Sequence, residues 1–464
     1  MSEQAGRMRI LRSPLCWLLV QAVAGWLLLG TLGKLAPVVA DDTAGYEQVP
    51  FDSLAGMLNQ TRTIGYPLFL KFAGLFATQH GAVPTLHWLM HVAAALLFWR
   101  AIIPLVPGPR PAALMTSGLL WSSLVFRYLP VLAADMLACS LAVATLSCLL
   151  LVVQQPGSGA RWLGLTVLLF ATYQTRPAYL FLVGLVPLLG ALLVWWQSRD
   201  ERSSVQPLAT RLTLASLGPL ITFCTVRWLI VGHFGLVSFG GFNLIGIAGQ
   251  FLSPELVAEL PSNLQPLAQD MLARKQALID PELARREWSP RSYIAVETHY
   301  DTAMWKVFTP AATELCGSDP ACVDQQGRDL ASAIIRQRPA LYANWLLRAF
   351  RQAIRVVTSE FVMNLFSLAL IAIGLLIETR YTWLRRRGPT VSVPLDDRYF
   401  EAVHVQGLIA VSFALSKIAL VILVAPPLGR FMDAAGIFLP SVAIAWLCGR
   451  WEAMRQLTSS QSRA

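Results

Sequence analysis

Charged side chains are scarce in this chain. Asp, Glu, Lys and Arg make up 14% of its 464 residues, where an ordinary soluble domain carries roughly 25%. With 55% of residues hydrophobic and a mean hydropathy of +0.54, the shortage argues against one large water-soluble domain. It points to a polytopic helical membrane protein, since each span needs about 20 mostly apolar residues. Acids are scarcer than bases, 27 against 37, which leaves a net charge of +10. Nucleic acid would be one partner for that balance. However, the basic residues gather at the ends of apolar segments, as the positive-inside rule expects of a membrane protein. Internal repeats are also lacking, and with them the usual signature of a secondary transporter.

What is present is a series of about ten apolar runs, near residues 15–35, 85–106, 112–126, 133–153, 162–173, 179–196, 212–231, 361–377, 403–424 and 435–447. An uncleaved first span is favoured over a signal peptide, because Trp17 to Leu35 is long for a signal h-region and further spans follow. With Arg7, Arg9 and Arg12 inside, the Arg-rich loops at Arg110, Arg161, Arg199–Arg211 and Arg380–Arg387 all fall on the cytoplasmic side. Both termini are then cytoplasmic. The acidic first loop, about residues 37–70, and a charged, amphipathic stretch fall outside. The expected organisation is an N-terminal membrane module over residues 1–231, a mainly helical external insert over 232–355, between spans seven and eight, and a C-terminal membrane module over 356–464.

Five of the seven cysteines lie in or beside apolar runs, where Cys behaves as a small buried hydrophobe. Cys316 and Cys322 instead flank a Gly-Ser-Asp-Pro turn in the insert. A close pair in a segment assigned to the outside suggests a disulfide. Metal binding is less favoured there, with no second Cys or His pair at ligand spacing. His87 and His91, one helical turn apart in span two, read as packing residues more readily than as ligands.

Polar residues concentrate at the external ends of the spans. After span one come Asp41, Asp42, Tyr46, Arg62 and Tyr66. Arg127, Tyr128 and Asp135 follow span three, Arg176 follows span five, Lys417 lies in the outer half of span nine, and Arg430 comes after it. An acidic pair where a span opens into water is a candidate functional site. Carboxylates suit general-base work on an acceptor hydroxyl or amine. Cations suit a phosphate leaving group, where charge develops as a bond breaks. An enzyme using a phosphate-linked lipid donor needs both. The plainer reading of the arginines is snorkelling to headgroups, and of Asp135 a helix cap.

The order of these motifs resembles the GT-C superfamily of polyprenyl-phosphate-dependent glycosyltransferases, which includes protein O-mannosyltransferases and aminoarabinose transferases. Asp42-Thr43-Ala44-Gly45-Tyr46 is similar to the family's D-[S/T]-x-x-Y, and the run from Arg62 to Leu70 resembles R-x-P-G-Y-P-L. LPVLAADML, carrying Asp135, is placed like the segment bearing the second loop's acid, and TYQTRPAYL, carrying Arg176, resembles the family's "RP". The helix AIIRQRPALYANWLLRAF resembles I-R-x-x-P-x-x-Y. Ile64 stands where the family has Pro, and Asp41-Asp42 replaces an Asp-Glu pair.

The resemblance implies inverting transfer of a sugar from an undecaprenyl-type phosphate carrier to a lipid, glycan or protein acceptor. The reaction would occur at the external face of a bacterial inner membrane. Asp42 would activate the acceptor, with Asp41 as its rival by position and Asp135 in support. Tyr46, Arg62, Tyr66, Arg176, Lys417 and Arg430 would bind the donor and its phosphate. No cofactor is expected; family members differ in metal dependence, which leaves a divalent cation open. The alternatives are a flippase of lipid-linked sugars and an O-antigen polymerase or ligase, the latter having no need of the first-loop acid.

Overall fold

The computed structural model describes residues 13–197, 205–278, 293–387 and 397–461. Arg7, Arg9, Arg12, Arg199 and Arg202, used above to orient the chain, lie outside them. Among the described residues the secondary structure is helical. The one extended pairing is a parallel bridge between Val38 and Val131.

The chain begins with α1 (Pro14–Thr31). The loop after it carries α2 (Thr43–Glu47), α3 (Leu54–Leu58) and α4 (Gly65–Gly74). Then come α5 (Val83–Ile102), α6 (Pro109–Leu120), α7 (Ser123–Tyr128) and α8 (Asp135–Gln154). The first half closes with α9 (Gly159–Thr175), α10 (Phe181–Gln197) and α11 (Val205–Val231). Shorter helices follow: α12 (Gly240–Ala248), α13 (Pro254–Glu259), α14 (Gln265–Leu278), α15 (Tyr293–Asp301) and α16 (Thr309–Cys316). The amphipathic pair α17 (Pro320–Gln337) and α18 (Pro339–Val362) leads to α19 (Leu365–Arg387), α20 (Asp397–Val424), α21 (Gly429–Met432) and α22 (Leu439–Gln461).

Among the described residues, eight helical stretches are long and apolar enough to cross a membrane. The runs read as spans three and five correspond to α6, of 12 residues, and α9, of 17. Each is shorter than the usual apolar span. Burial separates the eight into an inner and an outer set. The apolar window of α8 is 89% buried, whereas those of α11 and α19 are each 17% buried. α8 packs between α5 and α9 and is the hub of the bundle. Its buried Ser140, Thr145 and Ser147 donate back to the carbonyls of Met136, Leu141 and Val143, so none is an unpaired polar group in the core. The outer helices keep large apolar side chains on their free faces, Leu229 at 71% and Leu376 at 71% exposure. That is the pattern of helices solvated by lipid.

A second core lies between α12 and the ends of α18 and α20, built on Phe242, Ile245, Phe308, Leu330 and Trp345. α12 and α17 cross at two glycines. A Cβ on Gly241 would meet the Asp324 carbonyl oxygen at 1.9 Å, and one on Gly327 would stand 3.0 Å from the Gly241 backbone. Buried Asp324 takes the Gly241 N–H at 2.7 Å and Arg328 at 2.6 Å. Cys316 and Cys322, at the junction of α16 and α17, are joined in a disulfide with their Cα atoms 5.6 Å apart.

Candidate functional site

The first loop is fastened to the segment that starts α8. Val38 N–H donates to the Pro130 carbonyl and Leu132 N–H donates to the Val38 carbonyl, both at 2.8 Å. Buried Thr43 extends the splice: its hydroxyl donates to the Leu132 carbonyl at 2.9 Å and accepts from Ala40 N–H at 2.8 Å. These bonds bring Asp42, just before α2, and Asp135, the first residue of α8, to the same end of the bundle.

Three arginines meet the two acids. Arg62 Nη2 lies 2.5 Å from Asp42 Oδ1. Arg430 Nη2 lies 2.6 Å from Asp42 Oδ2 and 3.0 Å from Asp135 Oδ2, so one guanidinium bridges both carboxylates. Arg176 pairs with the other oxygen of Asp135. The elements that present them are independent: the loop before α4, the end of α9 and α21. α4 reaches α9 because Gly65 has no side chain; a Cβ there would stand 2.5 Å from the Gln174 carbonyl oxygen. Aromatic rings complete the arginine surroundings, with Tyr46 and Phe239 at 5.6 and 5.0 Å from the Arg62 guanidinium carbon and Phe431 at 5.7 Å from that of Arg176.

Electrostatics follow from this packing. Burial alone would raise the Asp42 carboxyl, but Arg62, then Arg430 and Arg176, outweigh it and hold Asp42 below the ordinary 3.8. Tyr66 is fully buried beside Tyr46, and its hydroxyl has no hydrogen-bond partner among the described residues. Burial pushes that phenol well above 10, so it is a proton donor at neutral pH. Asp301, at the end of α15, is raised by burial and by the charges of Asp42 and Asp41, which sets α15 within electrostatic reach of the site.

The structure thus gathers Asp42, Asp135, Arg62, Arg176 and Arg430, with Tyr46 and Tyr66 alongside. Two residues grouped with them stand apart. Asp41 is exposed and takes part in none of these ion pairs. Lys417 is buried on α20, with its ammonium 3.3 Å from the Tyr179 hydroxyl and 4.5 Å above that ring, and it does not reach either acid. His87 and His91 are fully buried, and both point at the protein: His87 Nδ1 donates to the Leu129 carbonyl and His91 Nε2 to that of Leu119. Cys316 packs against the second core, with Cys322 bonded to it. Among the described residues no three His, Cys, Asp or Glu side chains gather as metal ligands would.

Sequence reasoning named Arg127 but passed over the acids that hold it, and it passed over Arg227. Arg127 pairs with Glu360 at 2.8 Å and Asp433 at 3.0 Å, one turn along the chain from Arg430. The signal was the spacing of Arg430 and Asp433 at i and i+3. Arg227 is fully buried on α11 and ties the Leu58 carbonyl to Ser238 at 2.9 and 2.5 Å. A lone arginine in an apolar run gives no hint of acceptors so distant in sequence.

No protein-family model, curated protein or solved structure matches the chain. Fold and site define a class, a multi-pass helical membrane protein with a compact Asp–Arg cluster at one end of its bundle.

Proposed function

We propose that this chain is a membrane glycosyltransferase that moves a sugar from a polyprenyl-phosphate carrier to an acceptor at the external face of the membrane. One observation carries the reading: two carboxylates and three guanidiniums from separate parts of the chain meet where the spans end. In the reaction the acceptor O–H or N–H gives its proton to Asp42 while its lone pair bonds to the anomeric carbon from the side opposite the phosphate. The bond from that carbon to the phosphate oxygen breaks, and its electron pair leaves on the phosphate. Arg62, Arg176 and Arg430 receive the charge that develops there. Asp135 holds Arg176 and Arg430 in place, and protonated Tyr66 offers a further donor. Lys417, packed on Tyr179, acts at most through that ring.

Arg430 has two tasks in this scheme. Bridging the acids in the free protein, it keeps Asp42 a weak base; drawn toward a bound phosphate, it releases Asp42 to take a proton nearer neutral pH. Ten crossings, counting α6 and α9, would put both termini in the cytoplasm of a bacterial inner membrane.

The test is transfer by the purified, membrane-inserted chain from a panel of polyprenyl-phosphate sugars, with the product's anomeric configuration determined. Inverted product from at least one donor is expected. Retained configuration would overturn the single-displacement scheme, and absence of transfer from every donor would overturn the function. Reporters fused after Leu58 and Asp301 should read outside, and an inside signal at Leu58 would put the cluster on the wrong face.

A further inference from the structure

α18 is an amphipathic helix of 24 residues, about 36 Å long at 1.5 Å per residue. Its attachments show how it lies. Near its start the Tyr342 hydroxyl donates to the Leu423 carbonyl at 2.6 Å and Trp345 Nε1 to that of Ile422 at 3.1 Å, both at the end of α20. At its far end Glu360 meets Arg127 at 2.8 Å, and Asn364, just beyond, donates to the Trp121 carbonyl at 3.3 Å, beside the ends of α6 and α7. A helix fastened along its length to the termini of different membrane helices runs across the face of the bundle, not through it.

One side of α18 is committed to protein: Trp345, Ala349, Ala353 and Val357 are buried at a spacing of four. The other side is free and divided lengthwise. Leu347, Phe350 and Ile354 are 73%, 42% and 40% exposed and form an apolar strip at i, i+3 and i+7. Beside it run Arg348, Arg351 and Arg355, all exposed. Among the described residues none of the three pairs with a carboxylate; Arg348 Nε donates to Asn344 at 3.1 Å. Past Val362 the exposed apolar side chains Met363 and Leu365, 76% and 83% exposed, lead directly into α19, one of the helices long and apolar enough to cross a membrane.

We propose that α18 is an in-plane membrane helix whose Leu347–Phe350–Ile354 strip enters the acyl boundary while Arg348, Arg351 and Arg355 bind the phosphates of anionic phospholipids. Continuity with α19 argues for lipid as the occupant of the strip. Three exposed cations with no acidic partner among the described residues argue for negative headgroups beside it, since each arginine near such a surface gains from the anionic leaflet. The assignment stands whether or not the chain transfers sugar.

The experiment uses the full chain in vesicles of phosphatidylcholine containing a photoreactive phosphatidylglycerol or, in parallel, a photoreactive phosphatidylcholine. Adducts are mapped by mass spectrometry of the peptides covering α18 and α19. The expected result is labelling of α18 with about tenfold enrichment for phosphatidylglycerol, in line with the pull of several cations on an anionic lipid. R348Q/R351Q/R355Q should bring that ratio close to one while acyl-chain labelling persists. Adducts on α19 with none on α18 would overturn the placement. Equal labelling of wild-type α18 by the two lipids would overturn the headgroup preference, and so would suppression of the enrichment by inorganic phosphate alone, which would mark an ion site instead.

Discussion

Two ion clusters stand side by side at the same end of the bundle, and the short stretch around α21 contributes to both. Arg430 enters the first with Asp42, Asp135, Arg62 and Arg176. Asp433, three residues on, enters the second with Arg127 and Glu360. Their balances are opposite. The first has three cations to two acids, an excess suited to receiving an anion. The second has two acids to one cation, an excess of the opposite sign. Similar pieces therefore differ in what they leave over: in the proposed scheme the excess cation receives the phosphate, and the second group braces the segment that delivers it.

Substitutions should separate the two. The largest effect is expected at Asp42. Asp42→Asn keeps the shape but removes the proton acceptor, and transfer should fall about 10²–10⁴-fold in an assay with a lipid-linked donor. Asp41→Asn should cost far less, because that side chain is exposed and outside the cluster. Equal losses in the two variants would sink the assignment of the base. Next comes Arg430→Gln. Loss of a charge-assisted contact to phosphate should raise the donor KM by about 10- to 100-fold, and an unchanged KM would remove Arg430 from the proposed clamp.

The pH profile offers a finer distinction. Asp42 is held below 3.8 by its arginines, so it stays charged above the ordinary carboxylate range. The stability it contributes is present above the unfolded value and is lost as pH falls through the lower folded one. Removing Arg62 with Arg62→Gln should therefore move the acid limb of free-enzyme activity upward, measured as kcat/KM against pH. An acid limb that stays put or moves down would contradict the pairing. The smallest effect is expected in the second cluster. The Arg127 side chain is half exposed, so Arg127→Gln should lower stability by about 1 kcal/mol or less, read by thermal melting, with donor KM unchanged. A KM rise like that of Arg430→Gln would dissolve the distinction between the clusters.

Much of the fold was legible because bilayer-length apolar runs leave a strong trace in composition. The helical class and the long spans could be read that way. Runs three and five are harder: apolar content was visible, but α6 and α9 are short because Leu120 gives way to a turn at Trp121 and Thr175 to the extended Arg176. Within the site, Asp42, Arg62, Asp135, Arg176 and Arg430 share an end of the bundle because span order alone assigns them to one. Azimuth around a helix was not legible. Lys417 has the right depth on α20 and the wrong bearing, so it meets Tyr179 and not Arg430. Glu360 and Asp433 escaped notice because their partner Arg127 lies far away in sequence. Cys316 and Cys322 were visible because they lie only six positions apart.

The splice at Val38 has a consequence for the choice between the two aspartates. Extended pairing fixes which residue stands opposite which, and a slip of one position moves every side chain along by one. Here Val38 is held between Pro130 and Leu132, with Thr43 as a second fastening on Leu132. Asp42, not Asp41, meets Arg62 and Arg430 because of that register. The acid that enters the cluster is thus selected by alignment of two backbones, and a residue added between Thr43 and Val38 would put the fastenings in conflict before it changed any charge.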